Sequence, residues 1–279
     1  MKPNNLNRID KKFRELKNKR EKALICYVVA GYPDIKTSEK IIDTLIESGA
    51  DMIEIGIPFS DPIADGKTIQ EALHSSLTLG ITPQQCLELS ERIRVKHPEI
   101  PLLIMTYSNI LFRRGYDNFS RDAKKKGIDG FILPDVSIEE SLEYVNAAKK
   151  NEMSTIFLVS PNTSELRLKM IIEHCSGFLY AVSVFGITGE RQKFHKYTFA
   201  FIRKVRKLTK GKIPIAAGFG ISQPEHVKNM IDAGADAVIV GSAIIRKIQE
   251  TKTKKTSLAL LSNYILDLKL ACRENKKRS

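Results

Sequence analysis

Eight short apolar segments alternate with amphipathic helical stretches along the chain, and this alternation constrains the fold more than any other feature. The segments span residues 24–29, 52–57, 101–107, 130–133, 154–159, 177–183, 213–217 and 237–240. Strands that alternate with helices predict a parallel sheet with crossover helices. Eight such units favour an α/β fold, a closed (β/α)8 TIM barrel, and a length of 279 residues suits one barrel domain.

Helix boundary signals agree with this alternation. Thr37 and Ser38 can cap a helix over residues 39–47, and Pro224 opens a helix that ends near Gly234. Such signals place the helices between the strands, as a barrel requires.

Two stretches depart from a simple strand and helix repeat. Residues 80–83, Gly-Ile-Thr-Pro, divide the region 73–96 into two helices. The leading segment 6–17 is amphipathic, which predicts an added N-terminal helix on the barrel floor. Because no linker or low-complexity tract interrupts the sequence, we expect a single domain over residues 1–279, with a basic C-terminal tail at about 273–279.

The formal net charge of +13 invites a nucleic-acid interpretation. The basic residues fall mostly on predicted helix faces and in the C-terminal tail. The sequence has no interleaved aromatic pattern, helix-turn-helix pattern or zinc knuckle, so we expect no nucleic-acid partner. The positive field can still help to capture an anionic substrate.

Signals for metal binding, membrane insertion and secretion are missing from the sequence. The four cysteines and five histidines are scattered without a Cys-x-x-Cys or His-Glu-x-x-His spacing, so we expect reduced thiols and no metal. No stretch approaches the roughly 18 apolar residues of a membrane span. Since no apolar segment follows the basic N-terminus, we expect a cytoplasmic protein with no membrane association.

Carboxylates cluster in and after the second predicted strand. Glu54 lies midway along Met-Ile-Glu-Ile-Gly-Ile, and the following loop carries Asp61 and Asp65. An acidic side chain on a barrel strand can point into the barrel mouth, where desolvation raises its pKa into the range of general acid–base catalysis. Barrel enzymes build their sites at the C-terminal ends of the strands, where Tyr107 and Asp135 also lie.

Glycine-rich loops follow the last three predicted strands. They are Gly186-Ile187-Thr188-Gly189, Gly218-Phe219-Gly220-Ile221-Ser222 and Gly241-Ser242-Ala243. Glycines leave backbone N–H groups open to a phosphate, and the third loop begins a helix whose dipole favours an anion. Any one loop could be only a tight turn, but the loops after strands seven and eight are the common phosphate site of barrels. Their joint placement favours a substrate that carries a phosphate.

The segment 54–70 also carries a family resemblance. Its order, Glu-Ile-Gly-Ile-Pro-Phe-Ser-Asp-Pro-Ile-Ala-Asp-Gly followed by Thr68-Ile69-Gln70, resembles the signature of the tryptophan synthase alpha subunit family. The resemblance extends over about residues 24–245 and includes the glycine-rich loops in the same order. It implies a (β/α)8 lyase of tryptophan biosynthesis that cleaves indole-3-glycerol phosphate to indole and glyceraldehyde 3-phosphate.

This resemblance implies roles for the motif residues. Glu54 would protonate indole C3 and then accept the proton of the glycerol hydroxyl, while Asp65 would accept a hydrogen bond from the indole N–H. We expect an apolar pocket to raise the pKa of Glu54, and a more polar loop to keep Asp65 ionised. Tyr180 would lie close to Glu54, and Thr188 would help to close the loop after strand six over the substrate.

The same motif matching assigns the substrate contacts. The indole pocket would contain Tyr27, Met105 and Tyr107, and the phosphate would be held by Gly189, Gly220, Gly241 and Ser242. An aromatic residue or methionine on a barrel strand can also be ordinary core, so the order of the motifs carries these assignments.

A partner is implied by the resemblance alone. Family members bind a beta subunit that uses pyridoxal phosphate to join indole to serine, so we expect an allosteric α2β2 tetramer in which this chain needs no cofactor of its own. The loop positions that would face the beta subunit are Asp61, Pro62, Asn109 and Asp135. Asp61 could instead cap a turn, and Asn109 could cap a helix.

Two departures from the family pattern leave alternatives open. Ser137 stands where the family usually has proline, and Glu190 stands where alanine is common after Thr188-Gly189. The second changes the charge of the proposed lid, which is compatible with a barrel that cleaves weakly and mainly activates the beta subunit. The other alternative is a different phosphosugar barrel enzyme, an isomerase or an aldolase. A Schiff-base aldolase needs a lysine at the end of a strand, and the sequence places none there convincingly.

Overall fold

Nine parallel strands form the centre of the computed structural model, which describes residues 7–182, 196–218, 220–250 and 254–273. They are β1 (Ala23–Val29), β2 (Met52–Gly56), β3 (Leu102–Met105), β4 (Gly130–Ile132), β5 (Ser154–Ile156), β6 (Leu158–Val159), β7 (Leu179–Val182), β8 (Ile215–Gly218) and β9 (Ala237–Val240). Hydrogen bonds arrange them in the order β5-β4-β3-β2-β1-β9-β8-β7-β6.

The barrel closes within one predicted strand. The fifth predicted strand, residues 154–159, is interrupted at Phe157, so that β5 pairs with β4 and β6 pairs with β7. The carbonyl of Phe157 accepts a hydrogen bond from the backbone N–H of Tyr180 at 3.0 Å. The chain itself therefore joins the two ends of the sheet, and the prediction of a (β/α)8 barrel is confirmed.

Helices surround this barrel. In the described part of the chain they are α1 (Arg8–Lys19), α2 (Ile35–Glu47), α3 (Lys67–Thr78), α4 (Pro83–Lys96), α5 (Ser108–Arg114), α6 (Tyr116–Lys125), α7 (Leu142–Lys150), α8 (Glu165–His174), α9 (Lys196–Thr209), α10 (Pro224–Asp232), α11 (Ser242–Gln249) and α12 (Lys254–Ala271), with a 3-10 turn at Ile138–Glu140. None of these described helices is long and apolar enough to cross a bilayer.

Local capping signals located the starts of α4 and α10 correctly. Thr82 and Gln85 form the capping box of α4, whose first residue is Pro83, so the predicted division of residues 73–96 is confirmed. The predicted start of α2 is wrong by one turn. Its cap is Asp34, which accepts the backbone N–H of Thr37 at 2.8 Å, because an aspartate satisfies a free helix donor as well as serine or threonine does.

The predicted N-terminal helix covers the barrel floor, the end at which the strands begin. On α1, Ile9 and Leu16 are buried against the apolar residues that fill the lower barrel interior. Asn7 fastens the start of the helix by donating a hydrogen bond to Ser154 Oγ at 2.7 Å. This helix therefore seals the end of the barrel opposite the expected active site.

Each strand turns one face to the helices and one to the barrel interior. On β2, Ile53 and Ile55 pack against the helices, whereas Met52 packs with the interior floor. Alternation along the strand turns Glu54 to the interior. In register, Glu54 lies beside Tyr27 of β1.

Three copies of a Gly-X-Asp pattern fasten the barrel floor, at residues 49–51, 127–129 and 234–236. Each glycine follows the end of a helix with a φ of +105°, +84° or +110°, which L side chains rarely adopt. The aspartates accept backbone N–H groups of a neighbouring strand from Leu24 (2.7 Å), Leu102 (2.9 Å) and Ile215 (3.0 Å). Each aspartate also pairs with a cation whose side chain lies beside the glycine, namely Lys269, Arg94 and Arg206. Helix ends and strands are thus joined at three points around the floor.

Candidate active site

Glu54 is buried in the barrel interior without a hydrogen-bond partner. Its exposed fraction is 0%, and neither carboxylate oxygen bonds to a described residue. Loss of hydration and the nearby charge of Asp65 raise the pKa of Glu54 to about 8. At neutral pH this side chain is mostly a neutral carboxylic acid, so it can donate a proton to a bound substrate.

Asp65 lies in the loop after β2 and is held by Tyr107. The Tyr107 hydroxyl donates to Oδ2 of Asp65 at 2.8 Å and accepts the backbone N–H of Ala64 at 3.0 Å. Burial raises the pKa of Asp65 to about 6, although the Tyr107 hydrogen bond acts in the opposite direction. We expected a more polar loop, but Asp65 is only 6% exposed. Its pKa still lies below that of Glu54, so between pH 6 and 8 one carboxyl is largely ionised and the other largely neutral.

Three tyrosines lie around the two carboxyl groups. Burial and the charges of Asp65 and Glu54 raise the pKa of Tyr27 well above its ordinary value. Burial, followed by the charges of Glu54 and Asp65, also raises the pKa of Tyr180 on β7 well above its ordinary value. Tyr107 follows β3 and is buried. The structure therefore brings together five of the side chains that the sequence predicted for the site.

An aromatic contact that sequence reasoning missed supports Tyr107. The ring of Phe59 stacks on the ring of Tyr107, with centroids 4.9 Å apart and an interplanar angle of 22°. Phe59 belongs to the motif after β2, but a loop phenylalanine gives no sign of its partner in sequence. Met105, predicted for the indole pocket, is half-buried between the floor cluster and the cluster that contains Tyr27.

Two strand glycines, also missed, make room for the tyrosines. A Cβ on Gly56 would lie 2.3 Å from the hydroxyl oxygen of Tyr27, and a Cβ on Gly218 would lie 2.4 Å from Cε2 of Tyr180. Atoms cannot approach so closely without a shift. A glycine inside a strand pattern is the signal that could have found them, since it often marks a close approach of another group.

Gly56→Ala is expected to lower both stability and activity, although it adds only one methyl group. The added methyl must displace the ring of Tyr27, which lies beside Glu54, so we expect a loss of about 1–3 kcal/mol in the free energy of unfolding. A displaced tyrosine at this position should lower kcat by about 10- to 100-fold. Urea unfolding and indole release measure the two effects.

A second variant separates this clash from a general weakening of β2. Tyr27→Phe removes the oxygen that lies nearest the new methyl, so it should restore part of the stability in the Gly56→Ala background. Wild-type stability and activity of Gly56→Ala would show that the two groups do not constrain each other.

The predicted phosphate residues are divided between described and undescribed segments. Gly220 has φ +75°, Gly241 precedes α11, and Ser242 is the first residue of that helix and is buried. A Cβ on Gly241 would lie 3.2 Å from Cδ1 of Tyr27. Backbone N–H groups at the start of α11 therefore lie next to the tyrosine that neighbours Glu54, where the helix dipole favours an anion. Thr188 and Gly189 lie outside the described residues.

The four residues predicted to face a partner are exposed or half-buried at the same end of the barrel, three in loops and Asn109 in α5. Asp135 accepts hydrogen bonds from the backbone N–H of Ser108 at 3.0 Å and from its hydroxyl at 2.7 Å, so it caps α5 from the loop after β4. Asn109 is the second residue of α5 and is exposed, so it is not the cap. Asp61 is exposed and Pro62 is half-buried. The next residue, Ile63, has an exposed fraction of 76%.

The described part of the chain contains neither a group of candidate metal ligands nor a buried lysine. No three histidine, cysteine, aspartate or glutamate side chains there are grouped as ligands. No lysine is buried among the described residues.

Comparisons with known proteins agree on one family. The model of the family described as tryptophan synthase alpha chain matches residues 13–272. The chain is 45% identical over 243 residues to the tryptophan synthase alpha chain of Methanocaldococcus jannaschii, covering 87% of this chain and 85% of that protein. It is 42% identical to the tryptophan synthase alpha chain of Aquifex aeolicus, covering 96% and 100%. The crystal structure of the Legionella pneumophila tryptophan synthase alpha chain superposes with a TM-score of 0.88 at 33% identity, covering 98% and 100%.

Proposed function

Because this chain belongs to the tryptophan synthase alpha chain family, we propose that Glu54 and Asp65 are the groups that carry out its reaction. The reaction is the retro-aldol cleavage of indole-3-glycerol phosphate to indole and glyceraldehyde 3-phosphate. The observation that carries the assignment is a fully buried, unpartnered Glu54 with a pKa of about 8 close to an ionisable Asp65.

Glu54 acts first as the acid. Cleavage requires a proton on indole C3 before the bond to the glycerol carbon breaks, and a neutral carboxylic acid in the barrel interior supplies it. The resulting carboxylate then takes the proton of the glycerol hydroxyl as the aldehyde forms. Glu54 regains its proton in this step, so the cycle needs no other acid.

Asp65 acts as the negatively charged group that faces the indole ring. Its carboxylate accepts a hydrogen bond from the indole N–H and stabilises the positive charge that develops on the protonated ring. The Tyr107 hydrogen bond keeps the carboxylate in one orientation, which limits reorganisation during the reaction. Asp65→Asn should lower kcat by about 10²-fold, measured as indole release, and an unchanged rate would remove Asp65 from the mechanism.

The remaining contacts are proposed from the order of the family motifs. We assign the indole ring to Tyr27, Met105 and Tyr107, with Tyr180 close to Glu54, and the phosphate to Gly189, Gly220, Gly241 and Ser242. Thr188 is proposed to help close the loop after β7 over the substrate. Excluding water there would protect the charged intermediate.

The two pKa values predict a bell-shaped dependence of kcat/KM on pH. Asp65 must be ionised, so activity should fall as the pH drops through about 6; Glu54 must be protonated, so activity should also fall as the pH rises through about 8. Asp65→Asn should remove the acidic limb and shift the basic limb to lower pH, because the charge of Asp65 no longer raises the pKa of Glu54. A profile without a basic limb would contradict Glu54 as the acid.

We further propose a beta subunit as partner, with Asp61, Pro62, Asn109 and Asp135 in the contact. Their loops lie at the barrel mouth, so indole released there could pass directly to the partner. Pyridoxal phosphate would belong to the beta subunit, and an α2β2 tetramer is the proposed assembly. One barrel domain over residues 1–279 and a cytoplasmic location complete the proposal.

The deciding experiment measures indole release from indole-3-glycerol phosphate by the purified chain, alone and with the beta subunit from the same source. Cleavage that rises in the complex supports the proposed site and contact. No cleavage in either condition, with beta-subunit activity on free indole still stimulated, would make this chain an activating subunit with an inactive site.

A further inference from the structure

A cleft of about 860 Å³ opens on the barrel floor, beside the end of α1 and the starts of β8 and β9. We call it the floor cleft. The cations that line it are Arg14, Lys17, Arg20, Lys22, Arg206 and Lys212. It lies at the opposite end of the barrel from Glu54, so the substrate phosphate has no part in it.

The carboxylates that line the floor cleft are already engaged. Glu21 pairs with Lys269 at 3.2 Å and with Arg273 at 3.5 Å. Asp236 pairs with Arg206 in the third Gly-X-Asp pattern, and also with Lys22 at 3.7 Å. Neither carboxylate is therefore available to neutralise the other cations of the cleft.

Several of those cations have no ion-pair partner among the described residues. Lys17, Arg20 and Lys212 form no ion pair with any described residue, and they come from two separate parts of the chain. Positive charge that converges from separate elements on one concave surface focuses the field on an anion there. Several cations favour a ligand with several negative charges, and arginine matches the geometry of phosphate oxygens.

The floor cleft also has an apolar wall, made by Phe13, Leu16 and Pro214. Phe13 is half-buried and packs edge-on against Phe178, with ring centroids 6.1 Å apart, so its position is fixed. The volume lies within the roughly 300–1,000 Å³ usual for small-molecule sites. An apolar wall next to the cations of the floor cleft suits a ligand with a planar organic body and a charged end.

We propose that the floor cleft binds an organic polyphosphate. The phosphates lie against Lys17, Arg20 and Lys212, and the organic body lies against Phe13. This site is separate from the proposed catalytic site and does not depend on it.

Calorimetric titration with ATP tests the proposal, at low salt and with excess glyceraldehyde 3-phosphate to occupy the catalytic site. Wild-type protein should bind ATP with a Kd below about 1 mM. Lys17→Glu/Lys212→Glu should weaken binding at least tenfold without changing indole release. A matched control with the same change in net charge, Lys36→Glu/Lys40→Glu on the exposed face of α2, should bind within twofold of wild type.

Each other outcome overturns a defined part of the proposal. Equal weakening in both double variants would mean that ATP responds only to net charge, and no binding at millimolar ATP would mean that the cleft is not a site. Inorganic pyrophosphate should bind more weakly than ATP because it cannot use the apolar wall. Equal affinity for ATP and pyrophosphate would show that no organic group contacts the apolar wall, and would overturn that part of the proposal.

Discussion

Glu54→Gln is expected to lower kcat for indole-3-glycerol phosphate cleavage by about 10²- to 10⁴-fold and, at neutral pH, to stabilise the fold. Glutamine has nearly the shape of glutamate but cannot give C3 its proton. Glu54 is fully buried in β2, and its neighbours should stay in place because the two side chains have nearly the same shape. Partner binding should be unchanged, which a titration with the beta subunit measures.

The stability gain follows from the raised pKa. The unfolded chain ionises Glu54 near pH 4.5, whereas the folded chain holds its proton until about pH 8, so wild-type stability falls as the pH rises between these values. Glutamine does not titrate. The variant should therefore match wild type below pH 4.5 and exceed it by about 3 kcal/mol at pH 7 in urea unfolding.

A matched control is the same substitution at an exposed site. Glu173→Gln on α8 should leave turnover unchanged and the free energy of unfolding at pH 7 within about 0.5 kcal/mol of wild type. Residual turnover of Glu54→Gln above a tenth of wild type would remove Glu54 as the acid. A stability difference that does not vary with pH would show that Glu54 is ionised in the folded protein.

Asp129→Ala should lower the free energy of unfolding by about 3–5 kcal/mol. Asp129 is only 1% exposed, and it pairs with Arg8 at 2.9 Å and Arg94 at 2.8 Å. It also accepts the backbone N–H of Leu102 at 2.9 Å. Alanine leaves the mostly buried guanidinium of Arg94 without its carboxylate, and a buried charge without a partner is strongly destabilising.

Asp117→Ala on α6 is the control for this loss. Asp117 also pairs with a cation, Lys150 at 2.9 Å, but Lys150 is mostly exposed and solvent screens the attraction, so the expected loss is much smaller than for Asp129→Ala. Equal losses in the two variants would show that burial adds nothing to the floor pair. Because the floor lies opposite the barrel mouth, folded Asp129→Ala should keep its turnover.

Local signals predicted the elements well where the responsible atoms are neighbours in sequence. Residues 80–83 divided the region 73–96 into two helices, and the capping box of Thr82 and Gln85 lies at that same start of α4. The start of α2 was misplaced because Asp34, Thr37 and Ser38 are all capping residues close together. The break at Phe157 left no sign in an unbroken apolar segment, since the two sides pair with different neighbours.

Within the site, the order of the motif residues identified Glu54 and Asp65. That order does not show which groups surround the two carboxyl groups. Tyr107 holds Asp65 across 42 positions of sequence, and it makes Asp65 a buried carboxylate where a polar loop was expected. The sequence shows Gly56 and Gly218 but not why these positions are glycines. Each one leaves room for a tyrosine of a neighbouring strand.

The sequence by itself determined the eightfold strand and helix order and the family, and it singled out the two carboxyl groups that we propose as catalytic, because periodicity and ordered motifs are properties of neighbouring residues. Only the tertiary structure decided which face of β2 is interior, how far the pKa of Glu54 rises, and that several cations meet on the barrel floor. Burial and charge depend on distances between residues that are far apart in the chain. Those distances exist only once the barrel has closed.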